Sequence, residues 1–410
     1  MNYRIPFGNL KIGDSARRRI SEIAESGWIS EGQFVREFEE KFAAKFGWKY
    51  AIATSSGTDA GIVVWSAVRE LAVRELTGVS WRCLTALTPA CAFVATANCL
   101  LAARINPYFV DVSLETLNLD SGSLKTAISA SYYPEVRDIG IQFVATMGKS
   151  TPVRQIAEIA DKHDLWLVGD WCEAHGSYFQ TAPIPGKEWT ANYGGTWQYA
   201  DHLCDASIYS FYAAHLIVGG EGGMICTDDG ELAELCRSIK SHGRPAGSNY
   251  FSFDKVGFNS KWNELCAAVA LDGLENFDEN FQKRRNVRKR LYQMLVSLDS
   301  RFEKFILYPD GQSEIIAPHA FPLVLKDPDG DIRPLYEHLD KAGIQIKTLF
   351  GSLPTQHKAF EFLGHKLGDF PVAERIGRTG LHLPCNEFID DEDIHYIYQT
   401  IRDYFEHNGL

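Results

Sequence analysis

From residue 50 to residue 170, short apolar runs alternate with stretches of helical periodicity, and this rhythm leaves few architectures open. Tyr50 to Ala53 reads as a strand and "TSSGT" (Thr54 to Thr58) as a turn; Ala60, Val64, Val68 and Leu71 then follow at helical spacing. "LTAL" and "PYFVDV" read as strands, and "IQFVAT" leads through the helical "TPVRQIAEIADKHD" to the strand "LWLVGD". Apolar strands separated by helices imply a parallel sheet covered on both faces, which is an α/β fold. Two amphipathic helices precede it, one with Ile12, Ala16, Ile20 and Ile23 on a face, the other with Phe34, Phe38, Phe42 and Phe46.

The rhythm breaks between Phe179 and Asp201, where Gly, Pro and Trp occur without a period; this predicts a long surface loop. "ENFQKRRNVRKRLYQML" predicts a long helix bridging two domains. "HAFPLVL", "PLYEHLDKAG" and "IQIKTLF" then read as strand, helix, strand, and "DDEDIHYIYQTIRDYF" as a closing helix with Asp390 and Asp391 at its N-terminal end. The expected organisation is a large domain with N-terminal helices over residues 1–272 and a smaller α+β domain over residues 273–410.

The net charge of -12, with no basic block or stripe, argues against nucleic acid and anionic membranes as partners. A small anionic ligand must then be met locally, by backbone N–H groups and a few side chains. The N-terminus lacks an apolar signal-peptide core, and no apolar run approaches the roughly 18 residues of a membrane span. A cytoplasmic location is expected. The nine cysteines include no CxxC and no CxC, so buried free thiols rather than a metal site are expected.

Three places lie where strands of the sheet should end, the ends at which open α/β sheets collect ligands. In "TSSGT", a glycine between hydroxyl residues opens a helix; it reads as an ordinary capped helix start or as an anion site. Asp170 ends a buried strand and must be paired or hydrogen-bonded, either structurally or by a ligand such as a protonated heterocycle nitrogen. Glu173, three residues on, reads as a solvated loop acid or as a second group in the same cavity. The third place is "SIYSFYAAHLIVGGEGG", where Ser210 ends a strand and His215 heads a glycine cluster.

The segments "GWISEGQFVREFEEKFAAKFG", "SSGTDA", "TPACAFVATAN", "DWCEAHGS", "SFYAAHLIVGGEGGMICTDD", "GFNSKWNELCAAVA" and "HLPCNEFIDDEDIHYI" occur in an order and spacing that resemble the DegT-type sugar aminotransferases. These are pyridoxal-phosphate enzymes of the aspartate aminotransferase-like fold type I, with a mainly parallel sheet in a large domain and a smaller C-terminal domain. The resemblance implies that Gly57, Thr58 and Ser210 hold the cofactor phosphate, Phe93 stacks on the pyridine ring and Asp170 pairs with the ring nitrogen. It places Glu173 beside the ring hydroxyl. It sends Asn259 to the phosphate of a neighbouring subunit, hence a homodimer with shared active sites.

Where these aminotransferases carry the lysine that tethers the cofactor, this chain has His215. The histidine-bearing members are the sugar 3-dehydratases, such as GDP-4-keto-6-deoxymannose 3-dehydratase, which work through pyridoxamine phosphate. The missing CxC argues against the variant that also holds an iron–sulfur cluster. The implied reaction removes the C3 hydroxyl from a nucleotide-linked 4-keto-6-deoxysugar, with glutamate or another amino donor regenerating the amine cofactor. An imidazole cannot tether the cofactor but, with an ordinary pKa of about 6.5, would take and return a proton near neutral pH. The chain departs from the dehydratase "PAHH" at Ala213 and Leu216. Another untethered sugar or natural-product tailoring enzyme, and a non-catalytic cofactor-binding homologue, are the alternatives.

Overall fold

The computed structural model describes residues 3–75, 84–130, 137–180, 197–245, 251–311 and 313–407. The main sheet contains β1 (Tyr50–Thr54), β2 (Leu84–Pro89), β3 (Asn106–Val110), β4 (Arg137–Val144), β5 (Trp166–Asp170), β8 (Ala206–Ser210) and β9 (Gly223–Thr227). A separate strand pair, β6 (Tyr178–Gln180) and β7 (Trp197–Tyr199), falls between β5 and β8 in the chain. The main order is β1-β9-β8-β5-β4-β2-β3. All neighbours are parallel except β9, which runs antiparallel to both β1 and β8.

Helices cover both faces. They are α1 (Asp14–Ser26), α2 (Gln33–Phe46), α3 (Gly57–Glu75), α4 (Ala95–Ala102), α5 (Ser121–Ala130), α6 (Val153–His163), α7 (Gly230–Lys240) and α8 (Glu264–Glu275). Alternate strand residues feed opposite cores: Ala51, Ala53, Phe143, Leu167 and Tyr209 join the phenylalanine row of α2, while Ile52, Ile139, Val168 and Ile208 join α3 and α7. This period-2 partition, apolar on both sides, is why the strands read as continuous apolar runs. Glu264, at the start of α8, accepts the N–H groups of Gly32, Phe34 and Val35 at 2.9–3.0 Å and so caps α2.

A second, four-stranded antiparallel sheet has the order β10-β12-β14-β13, from β10 (Phe305–Leu307), β12 (Ala320–Leu325), β13 (Lys347–Thr348) and β14 (Gly380–Pro384). The long helix α9 (Phe277–Phe302) leads into it, and α10 (Arg333–Lys341), α11 (Leu353–Gln356), α12 (Pro371–Thr379) and α13 (Asp391–His407) follow. Its core includes Leu291, Leu339 and Ile397. The expected 272/273 boundary falls inside α8, and the N-terminal Ile5, bridged to Ile344, is buried in this second core. Of "IQIKTLF", only the two residues of β13 pair as strand.

The stretch from Phe179 to Asp201 is not wholly a surface loop. β6 pairs with β7 on one side and with β11 (Glu314–Ile315) on the other, in a three-stranded sheet. Tyr178 and Tyr199 stack at 4.3 Å in the buried core, because two aromatic rings bury more apolar area than a solvated loop would. Residues 181–196 lie outside the described residues.

Candidate active site

The carboxyl ends of β1, β5 and β8 converge on a cavity of about 370 Å³. Gly57, Thr58, Phe93, Asp170, Glu173, Ser210 and His215, all singled out in the sequence, line it. Asn259 does not: it is exposed, and its side-chain oxygen accepts a hydrogen bond from Lys261 Nζ.

At the end of β1 the chain turns directly into α3. Ser56 Oγ caps the Asp59 N–H at 3.0 Å, so the segment is a capped helix start. The first N–H groups of a helix have no intrahelical acceptor, and those of Gly57 and Thr58 stand at the cavity wall. A Cβ on Gly57 would lie 2.8 Å from the Ser210 Cβ and 3.1 Å from the Cys172 Sγ. Only glycine lets the ends of three strands meet this closely.

Asp170 closes β5. Its carboxylate accepts the Cys172 N–H at 3.1 Å and the Thr96 hydroxyl at 3.4 Å, and among the described residues it has no cationic partner. Burial pushes its pKa up. Glu173 accepts the Met147 N–H at 2.8 Å, and burial pushes its carboxyl up to about 8. Glu173 thus stands half-buried at the cavity wall, and at neutral pH its carboxyl is mostly protonated.

His215 sits on the loop that reverses the chain from β8 into β9. Gly220 at φ 87° and Gly222 at φ 142° make the return, a conformation other residues resist. Trp262, packed against Gly219 and Gly222, donates its indole N–H to the Glu221 carbonyl at 2.9 Å. The imidazole is 9% exposed, and its Nδ1 is buried without a hydrogen-bond partner, leaving Nε2 as the nitrogen with access to the cavity. The His319 ring lies 4.9 Å away at 33°, and His319 Nε2 lies 3.6 Å from Glu173 Oε1. Beneath them His175 packs between Tyr209 and Phe211.

Burial, and then the charges of Arg284 and Lys347, lower the His215 pKa to about 3. This corrects the expectation of near-neutral titration: in this setting the ring is a neutral base at pH 7, and once protonated it is a strong acid. Arg284, with no solvent exposure, donates to the Ala214 carbonyl at 3.1 Å and the His215 carbonyl at 2.9 Å while pairing with Glu387 at 2.6 Å.

Phe93 is 59% exposed, a large ring left uncovered over the cavity, with Phe350 edge-on at 6.0 Å. Among the cavity residues that sequence reasoning missed are Phe7, His319, Lys347 and His382. The two histidines carried a signal, since His382 interrupts an apolar strand run and His319 directly precedes one, places where a buried polar side chain needs a reason.

The profile of the DegT/DnrJ/EryC1/StrS aminotransferase family matches residues 11–402. The chain belongs to the DegT/DnrJ/EryC1/StrS family. It is similar to the spore coat polysaccharide biosynthesis protein SpsC of Bacillus subtilis, 26% identical with 98% of this chain and 97% of that one covered. It is also similar to the dTDP-4-dehydro-2,6-dideoxy-D-glucose 3-dehydratase of Saccharopolyspora spinosa, at 27% identity over 96% of this chain and 85% of that one. Among solved structures it resembles a candidate sugar aminotransferase, Spr1654 of Streptococcus pneumoniae in its PMP-form, with a TM-score of 0.80, 19% identity, and 99% and 98% of the two chains covered. The DegT fold thus extends over nearly the whole chain, and it is the aminotransferase-like α/β fold expected from the sequence. No helix among the described residues is long and apolar enough to cross a membrane.

Proposed function

We propose that this DegT-family enzyme is a pyridoxamine-phosphate-dependent nucleotide-sugar 3-dehydratase in which His215 replaces the tethering lysine. The observation that carries the reading is the imidazole itself, buried in the loop after β8 and facing a cavity that keeps the other groups a pyridoxal cofactor needs.

The residues present fit such a cofactor. The unmet N–H groups of Gly57 and Thr58, with Ser210 beside them, suit a phosphate. Asp170, a half-buried carboxylate with no cation among the described residues, suits a protonated pyridine nitrogen, and the exposed Phe93 ring suits stacking. Glu173, mostly protonated at neutral pH, can donate to a ring hydroxyl oxygen. Asn259, exposed and away from its own cavity, is assigned to the phosphate of a second subunit in a homodimer.

When bound, the cofactor supplies the amine that joins a sugar 4-ketone and the ring that disperses negative charge. Asp170 would hold the ring nitrogen in its protonated form. His215 Nε2 would take a proton from the carbon that bears the cofactor amine, which its neutral state allows, and would return it to the C3 hydroxyl as that group leaves as water; the low pKa favours the return. Hydrolysis releases ammonia, so the sugar loses one oxygen and the amino donor is left as a 2-oxo acid. A lysine in this place could recapture the cofactor; the imidazole cannot.

The test is to incubate the amine-loaded protein with nucleotide-linked 4-keto-6-deoxysugars. The expected result is ammonia and a product one oxygen lighter. A 4-amino sugar without ammonia would make the protein an aminotransferase, and turnover of neither kind would overturn the dehydratase reading. A tailoring reaction without dehydration is the second reading, favoured by Leu216, which packs into the core where the dehydratases place a second histidine.

A further inference from the structure

The phosphate cradle and Asp170 occupy the side of the cavity built by β1, β5 and β8. The opposite side comes from the second sheet and the N-terminal segment: Phe7, His319 just before β12, Lys347 on β13, Phe350 just after it, and His382 on β14. None of these is used in the reading above. Lys347 and His382 are cross-strand partners in the β13–β14 pair. Phe7 is the common neighbour, with its ring 5.1 Å from that of His382, 5.6 Å from that of His319 and 5.3 Å from Lys347 Nζ.

Among the described residues, Lys347 is the only lysine or arginine that lines the cavity, and it has no ion pair and no hydrogen bond. Its charge reaches Glu173, His215, His319 and His382. The three imidazoles are buried, which disfavours their charged forms, so they add no positive charge at neutral pH. One exposed ammonium, set over the Phe7 ring, therefore shares the cavity with Asp170, Glu173 and Glu221 and, among the described residues, is ion-paired with none of them. Such a group awaits an anion.

We propose that Lys347, with His382 beside it, forms a subsite for a carboxylate of the amino donor, a dicarboxylic amino acid. The charge count favours a carboxylate over the diphosphate of a nucleotide sugar. A diphosphate carries at least two charges and is met by several donors or bidentate arginines, whereas one ammonium flanked by rings matches a monoanion. The subsite rests on the two-substrate reading above, in which donor and sugar use the same cavity in turn.

Glutarate, a dicarboxylate with no amino group to react, tests this by calorimetric titration into cofactor-loaded and cofactor-free protein. Wild type is expected to bind it. K347M is expected to bind about tenfold more weakly or worse, and K347R within a few-fold of wild type, as loss and retention of a charge-assisted contact require. The gap should narrow as salt rises from about 50 mM to about 500 mM. GDP and UDP titrations should not change. Unchanged glutarate binding in K347M overturns the proposal. So does a loss of nucleotide affinity without a loss of glutarate affinity, which assigns the subsite to phosphate. Lys347 is exposed, so the variants are expected to fold, and circular dichroism checks this. Lysine-dependent glutarate binding in a protein that dehydrates no sugar would leave the subsite standing and remove only the dehydratase reading.

Discussion

Arg284 Nη2 donates to the carbonyl oxygen of His215 at 2.9 Å, from a guanidinium with no exposure to solvent. A residue of α9 thereby fixes the backbone of the loop that carries the imidazole, and Glu387 on the approach to α13 balances its charge. Arg284→Met leaves a buried carboxylate and two carbonyls unpaired. The expected cost in urea unfolding is about 3–5 kcal/mol, as for the breaking of a buried ion pair. Arg284→Lys keeps the charge but not the fork, and should lose turnover at least tenfold while losing less stability.

Gly57→Ala should separate cofactor binding from folding. The added methyl meets Ser210 Cβ at 2.8 Å and Cys172 Sγ at 3.1 Å, so one of these strand ends must shift. Affinity for pyridoxamine phosphate, read by fluorescence titration, should fall at least tenfold, with a stability loss of about 1–3 kcal/mol from overpacking.

Asp170→Asn is expected to move stability and function in opposite directions. The carboxylate is half-buried at the cavity wall and, among the described residues, has no cation, an arrangement whose desolvation the amide relieves. The cofactor-free variant should melt no lower than wild type, while conversion of bound aldehyde cofactor to amine by glutamate should fall at least a hundredfold, since the ring nitrogen is no longer held protonated.

The pH dependence of stability has two opposed parts. His175, His215, His319 and His382 all have folded-state pKa values below that of free histidine, His215 and His382 at about 3. Their contribution is complete above pH of about 6.5 and is lost as pH falls towards 3, by up to roughly 1.4 kcal/mol per histidine per pH unit. Glu173 has the reverse sign: its pKa is raised from 4.5 to about 8, so its contribution is lost as pH rises through that window. Melting curves of Glu173→Gln should therefore gain on wild type between pH 5 and pH 8, and those of His382→Gln should decline less below about pH 6.

The alternation between residues 50 and 170 made the main sheet legible because both of its faces are buried, so each strand is apolar throughout. The reversal of β9 was not legible, because an antiparallel strand buried on both faces carries the same apolar run; only the glycines of "GGEGG" hinted at the turn. Phe34, Phe38, Phe42 and Phe46 were readable as one face, and all four are buried. The strand-end residues of the site could be picked out because a sheet's carboxyl ends are fixed once its strands are. Phe7, Lys347 and Arg284 could not, since each reaches the site from a segment remote in sequence through tertiary packing. The fall of the His215 pKa was hidden for the same reason: it follows from burial and from two cations distant in the chain.

Intact-protein mass after borohydride treatment of the pyridoxal-phosphate-loaded chain tests the role of His215 most directly. Wild type should keep its unmodified mass, and His215→Lys should gain one cofactor fixed at residue 215 while losing dehydration. A wild-type protein that retains the reduced cofactor on any lysine, or a His215→Lys variant that dehydrates sugars at the full rate, would contradict the untethered, imidazole-served site.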